Sequence, residues 1–313
     1  MKKSTFIFVA GLSLLCAQTR AKDALETGLI LPSEAEIAAF EEKHPMPAAP
    51  LGVSLPSRVV NSAYLPPVAN GSQGQLGICG SICITYFTAT HQLAKSRGWT
   101  APGHDGDWSK VTSPAWGVWC YSHNTKNGAP WGANPFETIE EIIRSGIRSW
   151  EDYPYTGEAL DVSYLPGFAE RAAALRWRAK TAVAIGDIHS PSGIRSLKHF
   201  LAQGNIAATS TAYVDTLRAW EGPNVAPGGV VIATGDSEFP GHALTLVGYD
   251  DAIAYTDPKT GAVKHGAFLV VNSWGVGWGY SVPEVGTGGF LWIPYDLPFL
   301  SGAYSLNFPA PTA

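Results

Sequence analysis

Cys79, His242 and Asn272 stand far apart in the sequence, yet together they have the types needed for thiol-based acyl transfer. A thiol attacks an acyl carbon only as a thiolate, and an ordinary cysteine has a pKa of about 8.5. A helix N-terminus and a neighbouring imidazolium can each lower that value. Cys79 ends a glycine-rich loop, Asn70-Gly-Ser-Gln-Gly-Gln-Leu-Gly-Ile-Cys79, that runs straight into an apolar helical pattern. His242 opens the run Gly241-His-Ala-Leu-Thr-Leu-Val-Gly-Tyr249, which reads as a strand. A histidine at the mouth of an apolar strand is more often structural, so its meaning depends on its neighbours.

The elements that must carry these groups follow from periodicity and punctuation. Ser33 to Glu42 reads as a short helix, with Ser33 as N-cap and Glu36 closing a capping box. Ile82, Tyr86, Ala89 and Leu93 recur at helical spacing over Ile82 to Lys95. Asn134-Pro135 opens a further helix that Gly146 ends. Two more helices are expected over Gly167 to Arg178 and Ser192 to Gln203. Ile206 to Tyr213, Ala243 to Tyr249, Ala267 to Val271 and Gly288 to Pro294 read as strands, with a turn at Asp257-Pro-Lys-Thr-Gly261. Helices first and strands second make an α+β chain.

The 313 residues, 45% hydrophobic and 15% charged, fit one large domain or two small packed ones. The net charge of −5 argues against a nucleic-acid protein, which normally shows a basic stripe. Lys2, Lys3 and the apolar run Thr5 to Ala17 read as a signal peptide (residues 1–21) cleaved after Ala21. Losing Lys2, Lys3 and Arg20 takes the charge from −5 to −8. The expected location is secreted or periplasmic, and no later stretch is long and apolar enough to span a bilayer.

The neighbours of the candidate triad closely resemble the papain-like cysteine protease family, particularly its bacterial forms. Asn272-Ser-Trp-Gly-Val-Gly-Trp-Gly279 resembles the family's asparagine motif, Gly241-His242-Ala243 its histidine strand, and Gln73 through Cys79 its cysteine motif, preceded by Leu65-Pro-Pro-Val68. The resemblance implies a two-lobe fold: a helical left lobe at about 65–200, a β-barrel-like right lobe at about 201–313, and the active site between them. It implies Cys79 as nucleophile, His242 as base, and Asn272 holding the His242 ring. Trp274 would shield that bond, and Gln73 would donate to the oxyanion. Peptides or proteins would be the substrates, with no cofactor and no metal. A catalytically silent peptide binder, and an amide hydrolase or transpeptidase of cell-wall peptides, remain as alternatives. Gly-Ser-Ile follows Cys79 where plant and animal members carry an aromatic, and Gly241 replaces the Asp that often precedes the histidine. No extended pro-domain fits before residue 55, so 22–54 is expected to be a short propeptide or a plain N-terminal extension of a 55–313 catalytic domain.

The remaining cysteines leave choices open. Cys83 is expected to be a buried small hydrophobe or to form a disulfide with Cys120. Cys79, Cys83, Cys120 and His123 could instead form a Cys3His zinc site, which would leave Gln73, His242 and Asn272 without a role. His104-Asp-Gly-Asp107 offers too few ligands for calcium and reads as an exposed loop.

Overall fold

The computed structural model describes residues 25–310, apart from 48, 51, 122–124, 127–128, 158–159, 162–163 and 238–239. The expected signal peptide and His123 lie outside the described residues. Helix α1 spans Glu34–Lys43, and its capping box forms as expected: Ser33 Oγ accepts from the Glu36 N–H while the Glu36 carboxylate accepts from the Ser33 N–H. Helix α2 begins at Cys79–Ser81, widens into π-helical turns over Ile82–Thr88, and returns to α over Ala89–Arg97. It starts three residues earlier than its apolar period suggests, so Cys79 belongs to its first turn. Its residues from Cys79 to Ala94 are all buried, making it the central helix.

Beside α2 lie α3 (Pro114–Tyr121) and α4 (Pro135–Ser145). Asn134 caps α4 by accepting from the Phe136 N–H, Pro135 fills its first position, and Gly146 ends it at φ +76°. Farther along are α5 (Phe168–Ala174), α6 (Pro191–Ala202) and α7 (Val214–Arg218).

Nine strands form one sheet: β1 (Arg58–Val60), β4 (Thr181–Ile185), β5 (Ala207–Thr211), β6 (Val225–Ala226), β7 (Val230–Val231), β8 (His242–Thr256), β9 (Val263–Val271), β10 (Phe290–Pro294) and β11 (Ala303–Asn307). A separate ribbon pairs β2 (Thr125–Lys126) with β3 (Ala129–Pro130). The large sheet runs β4-β11-β5-β8-β9-β10-β7-β6, with β1 on β8. The two ends do not pair, so the β-rich part is an open sheet rather than a closed barrel. Strands β4 and β11 were not foreseen, since Thr181–Ile185 and Ala303–Asn307 are short runs with little alternation. Positions 242–250 of β8 are buried without alternation because α2 and α6 both pack on this strand. The result is an α+β molecule with apolar clusters on both sides of the sheet. A further cluster joins α2 and α4 to β4 and β11. No described helix is long and apolar enough to cross a membrane.

Candidate active site

His242 is the first residue of β8, and Asn272 directly follows β9. The two strands are antiparallel neighbours, with Thr245 opposite Val271, so the register places both side chains at one end of the sheet. The His242 Nε2–H donates to Asn272 Oδ1 at 2.6 Å. The Trp274 ring covers the pair, its centroid 4.4 Å from that of His242 at 33°. His242 and Asn272 have no exposed surface. Burial shields such a bond from competing water, so the ring is held in one orientation.

Gln73 reaches the same place from the loop before α2. Its N–H donates to the Ser273 carbonyl (2.8 Å), its Oε1 accepts from Ser273 Oγ (2.6 Å), and its carbonyl accepts from Tyr155 OH (2.7 Å). Ser273 therefore fixes the Gln73 amide while its neighbour Asn272 fixes the imidazole. Sequence reasoning passed over Ser273, although it lies inside the asparagine motif. With Oε1 so occupied, Nε2 carries the donors: one N–H goes to the Leu76 carbonyl at 2.6 Å within the loop, and the other is left for the cleft.

Something already occupies that cleft. The chain from Leu25 to Leu31 runs across it, and the Glu26 carbonyl accepts from Gln73 Nε2 at 3.0 Å and from Trp274 Nε1 at 2.9 Å. Gly28 lies so close that a Cβ would sit 1.9 Å from the Gly77 oxygen, so no other residue fits there. The Leu29 N–H donates to the Gly241 carbonyl at 3.2 Å. On the opposite wall, the Ile30 N–H donates to Ala133 and the Ala133 N–H to Gly28. The Leu29 side chain is wholly buried against Cys79, Cys83 and Ala243. Helix α1 fastens this segment to α4. Phe40 stacks on Phe136 at 4.3 Å, Asn134 Nδ2 donates to Glu36 at 2.9 Å, and Lys43 and His44 both reach Glu140. The sequence signal for this course was slight: a single glycine among apolar residues in Gly28-Leu-Ile-Leu31.

Under this cover Cys79 has no exposed surface. Burial pushes its thiol up to about 11, against the backbone groups of Ala243, Gly28 and Gly80, which favour the thiolate. Burial likewise takes His242 down to about 4, opposed by Asn272 and assisted by the Arg218 charge. The His242 Nδ1 atom is buried without a hydrogen-bond partner. Both groups are therefore neutral near pH 7, and the thiol–imidazole contact is not made while the segment is in place.

Gln73, Cys79, His242, Asn272 and Trp274 thus come together at one cleft, Cys79 resting on Ala243 beside His242. Cys83 and Cys120 do not join each other. All three described cysteines are free, which corrects the disulfide expectation. The reason is placement: Cys83 faces the Cys79–Leu29 cluster, whereas Cys120 packs with the α3–α4 aromatics. The same separation takes Cys120 away from any shared zinc site, and among the described residues no three His, Cys, Asp or Glu groups are set to hold a metal. In the 104–107 loop, the His104 ring is bonded to the Leu65 carbonyl and Asp107 caps the turn at Trp108–Lys110.

The sequence signature described as papain family cysteine protease matches residues 106–282, more than half of the chain. The chain belongs to the papain family of cysteine proteases. The matched stretch holds His242, Asn272 and Trp274, while Gln73 and Cys79 precede it. Solved structures agree on the papain-like fold. Xylellain, a cysteine protease from Xylella fastidiosa, is 18% identical with a TM-score of 0.54, over 90% of this chain and 96% of that one. Digestive procathepsin L 3 of Tenebrio molitor is 18% identical with a TM-score of 0.56, over 96% and 88%. The cysteine protease and lectin-like domains of Cwp84 from Clostridium difficile are 16% identical with a TM-score of 0.55, over 99% and 62%. No curated protein sequence gives a match.

Proposed function

We propose that this chain is an exported cysteine peptidase, held silent by its own residues 25–31 until that segment leaves the cleft. The observation that carries this reading is the Glu26 carbonyl, a peptide oxygen held by Gln73 Nε2, in the same segment whose Leu29 side chain covers Cys79. A side-chain N–H that already holds one peptide carbonyl is suited to donate to the developing oxyanion of another.

With the segment gone, water and substrate enter and the desolvation that keeps both groups neutral is relieved. The Cys79 proton passes to His242, whose imidazolium keeps its Nε2–H on Asn272. The thiolate attacks the peptide carbonyl carbon, and the oxyanion takes bonds from Gln73 Nε2 and the Cys79 N–H. His242 returns a proton to the leaving amine, forming the thioester. It then deprotonates the water that hydrolyses it. Residues 22–54 act in this reading as a short propeptide, and 55–313 as the catalytic domain. Export rests on the amino-terminal pattern alone and is tested by finding mature protein outside the cytoplasm with Ala21 removed.

Turnover of a fluorogenic peptide amide under reducing conditions tests the activity. Hydrolysis by the uncovered protein, lost in Cys79→Ala, supports the reading. An uncovered protein whose Cys79 alkylates readily but which cleaves no peptide would make it a silent binder.

A further inference from the structure

Cys83 has no part in that chemistry, yet it lies four residues after Cys79 on α2, wholly buried. The only other buried members of its small cluster are Cys79, Leu29 and Ala243. Residues four apart on a helix share a face, and the two thiols are close enough for their charges to interact. Between them the helix changes form: the turn carrying Cys79 is α, and from Ile82 to Thr88 it is π-helical. Such wider turns are irregular backbone, often found at functional sites. Cys120 packs in a different cluster and offers no third thiol here.

We propose that Cys83 is a resolving thiol for Cys79, so that oxidation of the uncovered nucleophile by a peroxide ends in a reversible Cys79–Cys83 disulfide. The proposal rests on the reading of Cys79 as the reactive thiol. In the first step the Cys79 thiolate attacks the peroxide, an S–O bond forms, and the O–O bond breaks. Sulfur loses two electrons, and the departing oxygen anion takes a proton from water. In the second, the Cys83 sulfur attacks the Cys79 sulfenic sulfur. The S–S bond forms, the S–O bond breaks, and the hydroxyl leaves as water with the Cys83 proton. The order follows from the helix: Cys79 sits in the first turn of α2, where N–H groups favour a thiolate, and Cys83 one turn farther in. Cβ atoms four apart on a helix stand about 5–6 Å apart, and a disulfide needs about 4 Å. The first turn of α2 must therefore draw in by about 1–2 Å, and the adjoining π-helical turn supplies the slack.

The test is a mass measurement and peptide map of full-length protein, in a preparation whose Cys79 alkylates with iodoacetamide, treated with hydrogen peroxide. Wild type is expected to become lighter by two hydrogens, to yield a Cys79–Cys83 linked peptide, and to recover both thiols with dithiothreitol. Cys83→Ala is expected to gain two oxygens at Cys79, a state dithiothreitol does not reverse, with irreversible thiol loss at least about fivefold faster than in wild type. Wild type that gains two oxygens as fast as the variant, or that links Cys79 to Cys120, overturns the proposal. If Cys83→Ala fails to fold, the wild-type map decides alone. The readout needs no turnover, so a protein that forms the link but cleaves no peptide would sink the peptidase reading and leave this one standing.

Discussion

The two halves of the candidate site are built differently. On the sheet side, His242 and Asn272 are joined to each other, covered by Trp274, and set by the β8–β9 register. On the helix side, Cys79 touches no catalytic partner by hydrogen bond, and its thiol is held among Leu29, Gly28 and Ala243. The base is held by its neighbours in the sheet; the thiol is covered by residues 25–31 of the chain. The difference teaches where control can act: on access to the thiol, while the base stays oriented throughout.

The largest way to test that comparison is to remove its helix-side group. Cys79→Ala is expected to abolish peptide hydrolysis in uncovered protein while leaving the fold intact, checked by circular dichroism alongside turnover. Residual hydrolysis there would move the nucleophile elsewhere.

Next comes the sheet side. Asn272→Ala frees the imidazole to turn, and turnover should fall by up to about 100-fold, the scale of a small misplacement, because the nucleophile and the Gln73 donor remain. A loss as complete as that of Cys79→Ala would mean that orientation, not the thiol, dominates.

Smaller again is the effect on the fastening. Phe40, buried against Phe136 and Tyr304, holds α1 in place. Phe40→Ala typically removes about 3–5 kcal/mol of packing. Without any proteolysis the full chain should then turn over substrate about tenfold faster than wild type or more, a gain that needs only about 1.4 kcal/mol of it. Unchanged turnover would show that α1 is not what keeps the cleft closed.

The legibility of these parts in sequence follows their chemistry. The Ser33–Glu36 box and the Asn134-Pro135 start of α4 were readable because side chains make those bonds. His242, Asn272 and Gln73 were readable because their motifs carry distinctive types at distinctive spacing. The course of 25–31 was hidden, because Glu26, Gly28, Leu29 and Ile30 bind the cleft through backbone groups that every residue has. Cys83 was ambiguous for a related reason: a thiol four residues from another reads as bridge or as filler until its cluster is known.

The pH dependence bears on stability rather than on turnover. His91 is wholly buried and held down to about 4, mainly by burial, and its Nε2 has no hydrogen-bond partner. The unfolded chain binds that proton near 6.5 and the folded one near 4, so stability is full above 6.5 and falls as pH drops through that window. The loss approaches roughly 3 kcal/mol once the pH is below both values. Covered His242 behaves alike, so the same acidification favours uncovering. Denaturant midpoints measured from pH 7 to pH 4 should fall, and fall less in a His91→Gln variant. Equal slopes in both proteins would remove His91 from the account.

The central claim is that the segment through Leu29, and nothing in the catalytic residues themselves, keeps Cys79 silent. Its most direct measurement is the rate at which iodoacetamide labels Cys79 in the full-length chain, compared with Leu29→Asp. That change sets an unpaired carboxylate into an apolar cluster, which the segment can escape only by leaving. Labelling of wild type is expected to be slow, and that of Leu29→Asp at least about tenfold faster, as an uncovering of about 1.4 kcal/mol requires, with peptide mapping placing the label on Cys79. Equal, rapid labelling of both proteins would contradict the account.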